Sequence, residues 1–306
     1  GEQEQCARGA DQRAAEQGRQ PRRRHMRSVS TPDASRTTAG CRSTGVPVAS
    51  RLNPPRSMLI AHASDLTGDD AAAFLHAAAL AQNGARLVTI HAGPGGSALS
   101  PSASELAARW GRPIDHELRR VEIEDDVSES VIEPLQQLRP DLVVVGTHAR
   151  HGLVAWLRGS VGEAIARNLA VPVLVVPNQS RGFVDPRTGE LDLRKILVPA
   201  GSVDDARRGV EAARRLAWIA GAAAVDSGLE IVHAGPGGED LARFGVAVTR
   251  IEGSLEYGML DAARARNACL IVMPTRGHDG LGDVLIGSHT ERVIREIGCP
   301  LLSVPA

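Results

Sequence analysis

Residues 141–177 read DLVVVGTHARHGLVAWLRGSVGEAIARNLAVPVLVVP, and this stretch decides the fold. Leu142 to Val145 is a short apolar run, rich in β-branched residues and stopped by Gly146. Such a run bounded by a turn signal predicts a strand buried on both faces. A polar loop follows. Gly159-Ser160 then opens a helical pattern with Val161, Ile165 and Leu169 on one side, and Val171 to Val176 forms a second buried run. A helix start of Gly-Ser attracts anions, because the first-turn amides lack partners and the helix dipole is positive there. Ser160 serves equally well as a plain N-cap.

Outward from this stretch, strands and helices alternate. Strands are expected at Met58–His62, Arg86–His91, Ile114–Ile123 and Leu142–Val145, with helices over 71–82, 102–110 and 127–138. Thr67 or Asp69 is the expected cap of the first helix. The pattern then repeats. Strands are expected over 195–200, 229–233, 246–251, 269–273 and 301–304, and helices over 204–221, 254–266 and 288–297. The repeat is visible in residues: IHAGPGG at 90–96 returns as VHAGPGG at 232–238, and GSVGEAIARNLAVPVLVVP at 159–177 returns as GSHTERVIREIGCPLLSVP at 287–305. Alternation of this kind indicates parallel βαβ construction in two copies. The division is a basic tail over 1–57, a first domain over 58–177, a linker over 178–193 and a second domain over 194–306. Each copy ends in a short apolar strand, which would leave an open sheet edge. The expectation is that Val171–Val176 and Leu301–Val304 pair antiparallel within the chain.

The chain has 306 residues and a net charge of −1. Residues 1–57 hold eleven Arg and five Asp or Glu, a surplus of +6 that leaves −7 on the rest. The tail lacks apolar periodicity and reads as disordered, with Met26 and Met58 as alternative starts. The overall balance argues against a general nucleic-acid role, no stretch has the length of a membrane span, and Arg22–Arg24 lacks the apolar segment of a secretory signal. Cys6, Cys41, Cys269 and Cys299 are too few and scattered for a disulfide framework. They read as reduced thiols of a cytoplasmic protein. His148 and His151 have metal-like spacing but no third ligand, so no metal site is assigned. Nor does a nucleophile with base and orienting group emerge. His91 and His233 end equivalent strands where α/β sheets bind ligands, and the Gly-Pro-Gly-Gly turns after them read as loop punctuation. Trp156-Leu157 is either a lid over the pocket or a contact between copies.

At these residues the chain resembles the universal stress protein family in tandem form, over residues 58–306. That family's nucleotide loop runs Gly, two residues, Gly, nine residues, Gly, then Ser or Thr. The first copy reads Gly146, Thr147-His148, Ala149, nine residues, Gly159-Ser160. The resemblance implies two Rossmann-like domains of the adenine nucleotide alpha hydrolase type. Each has a five-stranded parallel sheet flanked by helices, and the two pair through their last strands as an internal pseudo-dimer. It implies a stress-response protein that binds ATP, ADP or AMP mainly in the first domain, with Mg beside ATP. That role is regulatory, with slow hydrolysis at most. The site would comprise Gly146, His148, Ala149, Arg150, Gly159, Ser160 and Val161, with Ala63 at the adenosine position.

The departures are specific. Ala149 replaces the second glycine, and its methyl opposes a phosphate or a positive φ. In the second copy Pro274 replaces the first glycine, which leaves a weaker site of Arg276, Gly277, Gly287 and Ser288. The Asp that nucleotide-binding members place after the first strand is read as absent, with Ala63 and Gly201 in its place; Asp65 and Asp204 lie nearby, but a shift of one or two residues changes which way a side chain points. These departures favour a second class of function, a scaffold or interaction module with an unknown protein partner and no nucleotide.

Overall fold

The computed structural model describes residues 58–123, 126–147, 161–178, 180, 182–222, 225–253, 255–275 and 298–305. The expected helix over 288–297 and the basic tail lie outside them. The first half contains β1 (Leu59–Ala63), α1 (Ala71–Ala81), β2 (Arg86–Ala92), α2 (Ala103–Trp110), β3 (Asp115–Val121), α3 (Val127–Leu138), β4 (Leu142–Thr147), α4 (Val161–Asn168) and β5 (Val173–Pro177). The second contains β6 (Ile196–Pro199), α5 (Val203–Ile219), β7 (Leu229–Ala234), β8 (Ala247–Ile251), α6 (Leu255–Ala265), β9 (Leu270–Pro274) and β10 (Leu301–Val304). Both halves belong to one compact unit, Asn53–Ala306.

All these strands form one ten-stranded sheet in the order β3-β2-β1-β4-β5-β10-β9-β6-β7-β8. Every pairing is parallel except the central one. There β5 meets β10 antiparallel, with Leu301 opposite Val175, Leu302 opposite Leu174 and Ser303 opposite Val173. The internal strand pairing expected from the two apolar last strands is therefore present. Side chains alternate across the sheet into two apolar layers. Leu174, Leu302, α1, α2 and α5 contribute to one, and Val175, Leu301, α3, α4 and α6 to the other. Across the seam, Arg215 Nη2 donates to Asp141 Oδ1 at 2.8 Å.

α1 buries eight of its 11 residues, mostly alanines. Small side chains let this helix approach β1 and β4 closely, which helices with one polar face do not need. Its start differs from the expectation. Asp70 holds the N-cap position without capping, since its carboxylate turns toward Ser64 and His62. Thr67 donates instead to Asp65 Oδ1 at 2.9 Å. α2 begins with a capping box of Ser102 and Glu105 and stops at left-handed Gly111.

The segment expected as a spacer is packed. Phe183, Val184 and Leu193 are buried, and Val184 bridges Leu191 antiparallel. Phe183 stacks edge-on against His76 with centroids 4.7 Å apart. Its backbone N–H donates to His76 Nε2 at 3.3 Å, while His76 Nδ1 donates to Ala72 O at 2.7 Å. This arrangement needs a neutral ring, and burial lowers the His76 pKa to about 4. An unfolded histidine takes its proton near pH 6.5, so the stability from neutral His76 is complete above that pH and is lost as pH falls toward 4. Urea unfolding should show a loss of about 2 kcal/mol between pH 7 and pH 5 that is missing in His76→Gln.

Candidate functional site

In the first half the sheet order reverses between β1 and β4, because successive crossovers run in opposite directions there. Chain ends diverge at such a point and leave a crevice outside the carboxyl ends of the strands. A cavity of about 470 Å³ occupies it. Val127, Val131, Val145 and Val161 form an apolar wall, and Asp65, Asp69 and Asp70 supply carboxylates on the other side. Ala63, Gly146 and Val161 from the sequence reading all line this cavity. His148, Ala149, Arg150, Gly159 and Ser160 lie outside the described residues, as do Arg276, Gly277, Gly287 and Ser288, and Trp156-Leu157.

Gly146 is needed for close approach. A Cβ there would stand 2.5 Å from Asp70 Oδ1. Asp70 is buried and accepts from the Ser64 hydroxyl. Its Oδ2 also lies 3.1 Å from His62 Nε2, a close contact without the alignment of a hydrogen bond. His62 is fully buried and continues the polar chain through Thr89 Oγ1 at 3.3 Å to His116 Nε2, 2.9 Å further on. None of Ser64, Asp70, His62, Thr89 or His116 was singled out from the sequence. The available signal was a histidine interrupting the apolar run LIAHA.

His91 closes the cavity from β2. Its Nδ1 contacts Ser64 O at 2.9 Å and its Nε2 contacts Gly95 O at 2.8 Å, which ties the loop after β1 to the Gly-Pro-Gly-Gly turn. In the second half His233 Nδ1 contacts Ala200 O at 2.8 Å. The repeated motif is thus an imidazole held against a glycine turn. A Cβ on Gly96 would come within 2.7 Å of Leu66, and one on Gly238 within 2.7 Å of His233.

The same contacts correct the register between halves. Ser64 N donates to Ile90 O, and Ala200 N to Val232 O, both at 3.0 Å. Ser64 therefore matches Ala200, Ala63 matches Pro199, and Gly201 matches Asp65. The first half does carry an aspartate just after its first strand, and Asp65 lines the cavity.

The second half differs at the matching places. Bulkier Met259 and Met273 stand where the first half has Val131 and Val145, and buried Pro274 stands at the place of Gly146. Arg208 reaches in, donating to Thr275 O and to Asp205 Oδ1, each at 2.9 Å. At the opposite edge of this half, Cys269 and Cys299 line a second cavity of about 560 Å³. Burial pushes the Cys299 thiol up to about 12 and also raises Cys269, so both stay protonated and weakly nucleophilic. Among the described residues, no cluster could hold a metal ion and no helix is long and apolar enough to cross a membrane.

A family model described as the universal stress protein family matches residues 58–177 and 238–305. The chain belongs to that family. It is 35% identical over 72 residues to a universal stress protein of Methanocaldococcus jannaschii, a match covering 24% of this chain and 40% of that one. Its match to a universal stress protein of Thermus aquaticus is 39% identical over 54 residues and covers 18% and 39%. These matches therefore span only about two-fifths of each relative's length. A universal stress protein of Archaeoglobus fulgidus shares the fold with a TM-score of 0.55 at 19% identity, covering 82% of this chain and 99% of that one. A functionally unknown protein of Pseudomonas aeruginosa does so with a TM-score of 0.56 at 18% identity, covering 81% and 92%. At these identities the two structures speak for the fold alone.

The glycines of this universal stress protein make one local test. Gly146→Ala should cost about 1–3 kcal/mol in urea unfolding, because the methyl displaces the Asp70 carboxylate. Gly68→Ala, where an added Cβ meets nothing within 4 Å, should stay within about 0.5 kcal/mol of wild type.

Proposed function

We propose that this protein binds one adenine nucleotide per chain, in the first half, and acts as a regulatory stress-response protein rather than an enzyme. The cavity at the sheet's reversal point, with Asp65 on its rim, is the observation that carries this reading. The apolar wall suits a purine face, and a carboxylate at position 65 suits ribose hydroxyls as hydrogen-bond donors. In the family's pattern the phosphates would extend over Gly146 toward Arg150, Gly159 and Ser160, with Mg accompanying ATP.

The second half supports a scaffold role. Its matching place holds Pro274, Met259, Met273 and the Arg208 side chain, and Gly201 offers no carboxylate. The scaffold alternative therefore applies to that half, which completes the sheet and covers the edge of the binding half.

Calorimetric titration of the whole chain with Mg-ATP, ADP and AMP tests the assignment. The expected result is micromolar binding with a stoichiometry of one. Asp65→Ala should weaken it roughly tenfold, or about 1.4 kcal/mol, the scale of a lost hydrogen bond to a charged group. Arg208→Ala should leave affinity and stoichiometry unchanged. An absence of heat at millimolar nucleotide overturns the assignment, and two equivalent sites would overturn its confinement to the first half.

A further inference from the structure

Three polar side chains cross the apolar layer of the first half in a line. His62 on β1 and Thr89 on β2 are fully buried, and half-buried His116 on β3 reaches the sheet's outer edge. Burying such groups is costly unless each finds a partner, so an apolar residue is the simpler choice at these positions. The fold does not demand them. At the matching positions the second half has Val198 and Ile231, both fully buried, and Val246 just before β8. The aspartates differ in the same way. Asp205 is neutralised by Arg208, whose charge is permanent, whereas Asp70 faces His62, whose charge is not. The titratable version stands at the cavity between β1 and β4, which Asp70 lines.

The geometry points to a proton relay from His116 through Thr89 to His62, which sets the net charge of the cavity wall at Asp70 and makes binding of an anionic ligand there proton-linked. The nucleotide part of this inference rests on the function proposed above. The hydrogen positions follow from the partners. Nε2 of His62 faces a carboxylate and carries a proton, so Nδ1 of the neutral ring is an acceptor. The Thr89 hydroxyl donates to that Nδ1 and accepts from His116 Nε2–H. When solvent protonates His116 at Nδ1, its Nε2 proton passes to Thr89 Oγ1 as the Thr89 proton passes to His62 Nδ1. His116 is left neutral as the other tautomer, and His62 becomes an imidazolium beside ionised Asp70. One proton has entered, and the hydroxyl has reversed direction.

The surroundings favour a single shared proton. His116 is held below its ordinary pKa, first by burial and then by the charge of His62, so the two rings resist being cationic together. Asp115 and Glu117 act in the opposite sense on His116, and Glu117 is itself engaged by Arg86 and Arg119. Around Asp70 stand the Ser64 hydroxyl, Asp65 and Asp69, with Asp69 accepting from Asn178 Nδ2 at 2.8 Å. Phe74 of α1 packs on both imidazoles, at 5.6 Å from His62 and 5.3 Å from His116, and excludes water from that side.

The test compares the whole chain with Thr89→Val, which removes the hydroxyl, keeps the shape and matches the apolar Ile231 of the second half. Nitrogen NMR of labelled histidines, without ligand, should show His62 and His116 responding in one shared step in the wild type. In Thr89→Val, His62 should lose its share of that step while His116 titrates alone. An unchanged His62 response overturns the relay. In the second arm, ADP affinity of the wild type should rise by up to tenfold per pH unit on passing down through that step, relative to Thr89→Val at each pH. Taking the difference cancels titration of the ligand's own phosphate. Parallel pH profiles in the two proteins overturn the linkage. If ADP binds neither protein at any pH, the nucleotide assignment falls, and the histidine titration still decides the relay.

Discussion

The antiparallel pairing of β5 with β10 is the contact on which the rest of the molecule depends. Each half is a parallel sheet whose last strand would otherwise expose a row of unpaired amides and carbonyls. Joining the two rows satisfies both at once and places Leu174 beside Leu302 and Val175 beside Leu301 in continuous apolar layers. The segment between the halves reinforces the join by packing Phe183 and Leu193 into one of those layers. The two parallel sheets thereby meet at one antiparallel seam within a single chain.

A joined pair lets its two members diverge. The second half has apolar side chains at the places of His62 and Thr89, an arginine fixed on its aspartate, and bulkier residues where the first half has a cavity. The first half retains the crevice at the reversal point, three carboxylates on its rim and a buried polar line behind them. The buried histidines destabilise unless their partners are in place, whereas Val198 and Ile231 at the same positions carry no such penalty. Both halves bury polar groups, among them Glu230 and Asp205 in the second, but those two are held by Lys195, Arg266 and Arg208 rather than by histidines.

Much of this was legible from the chain itself. The element order, the internal repeat and the β5–β10 pairing follow from apolar runs, glycine stops and the repeated IHAGPGG and VHAGPGG motifs. The helix over 127–138 is found at Val127–Leu138. The site was less legible. Counting from the strand end placed the aspartate at Ala63 and Gly201, two residues away in the first half, because the last paired residue of a strand is set by its neighbours' hydrogen bonds. The backbone contacts of Ser64 and Ala200 restore the register. The segment over 178–193 looked like a spacer because its three buried side chains have no periodicity, and only their partners on α1 and α2 explain their burial.

By itself, then, the sequence determined an α/β chain of two related copies with a glycine-bearing loop after each fourth strand. Alternating hydrophobicity and turn chemistry are local and survive in one dimension. Only the folded arrangement sets Asp65 and Asp70 on the rim of the cavity between β1 and β4 and lines up His62, Thr89 and His116 across three strands. Those residues are 27 apart in each step along the chain. They meet because parallel β1, β2 and β3 lie side by side, a proximity that no local pattern encodes.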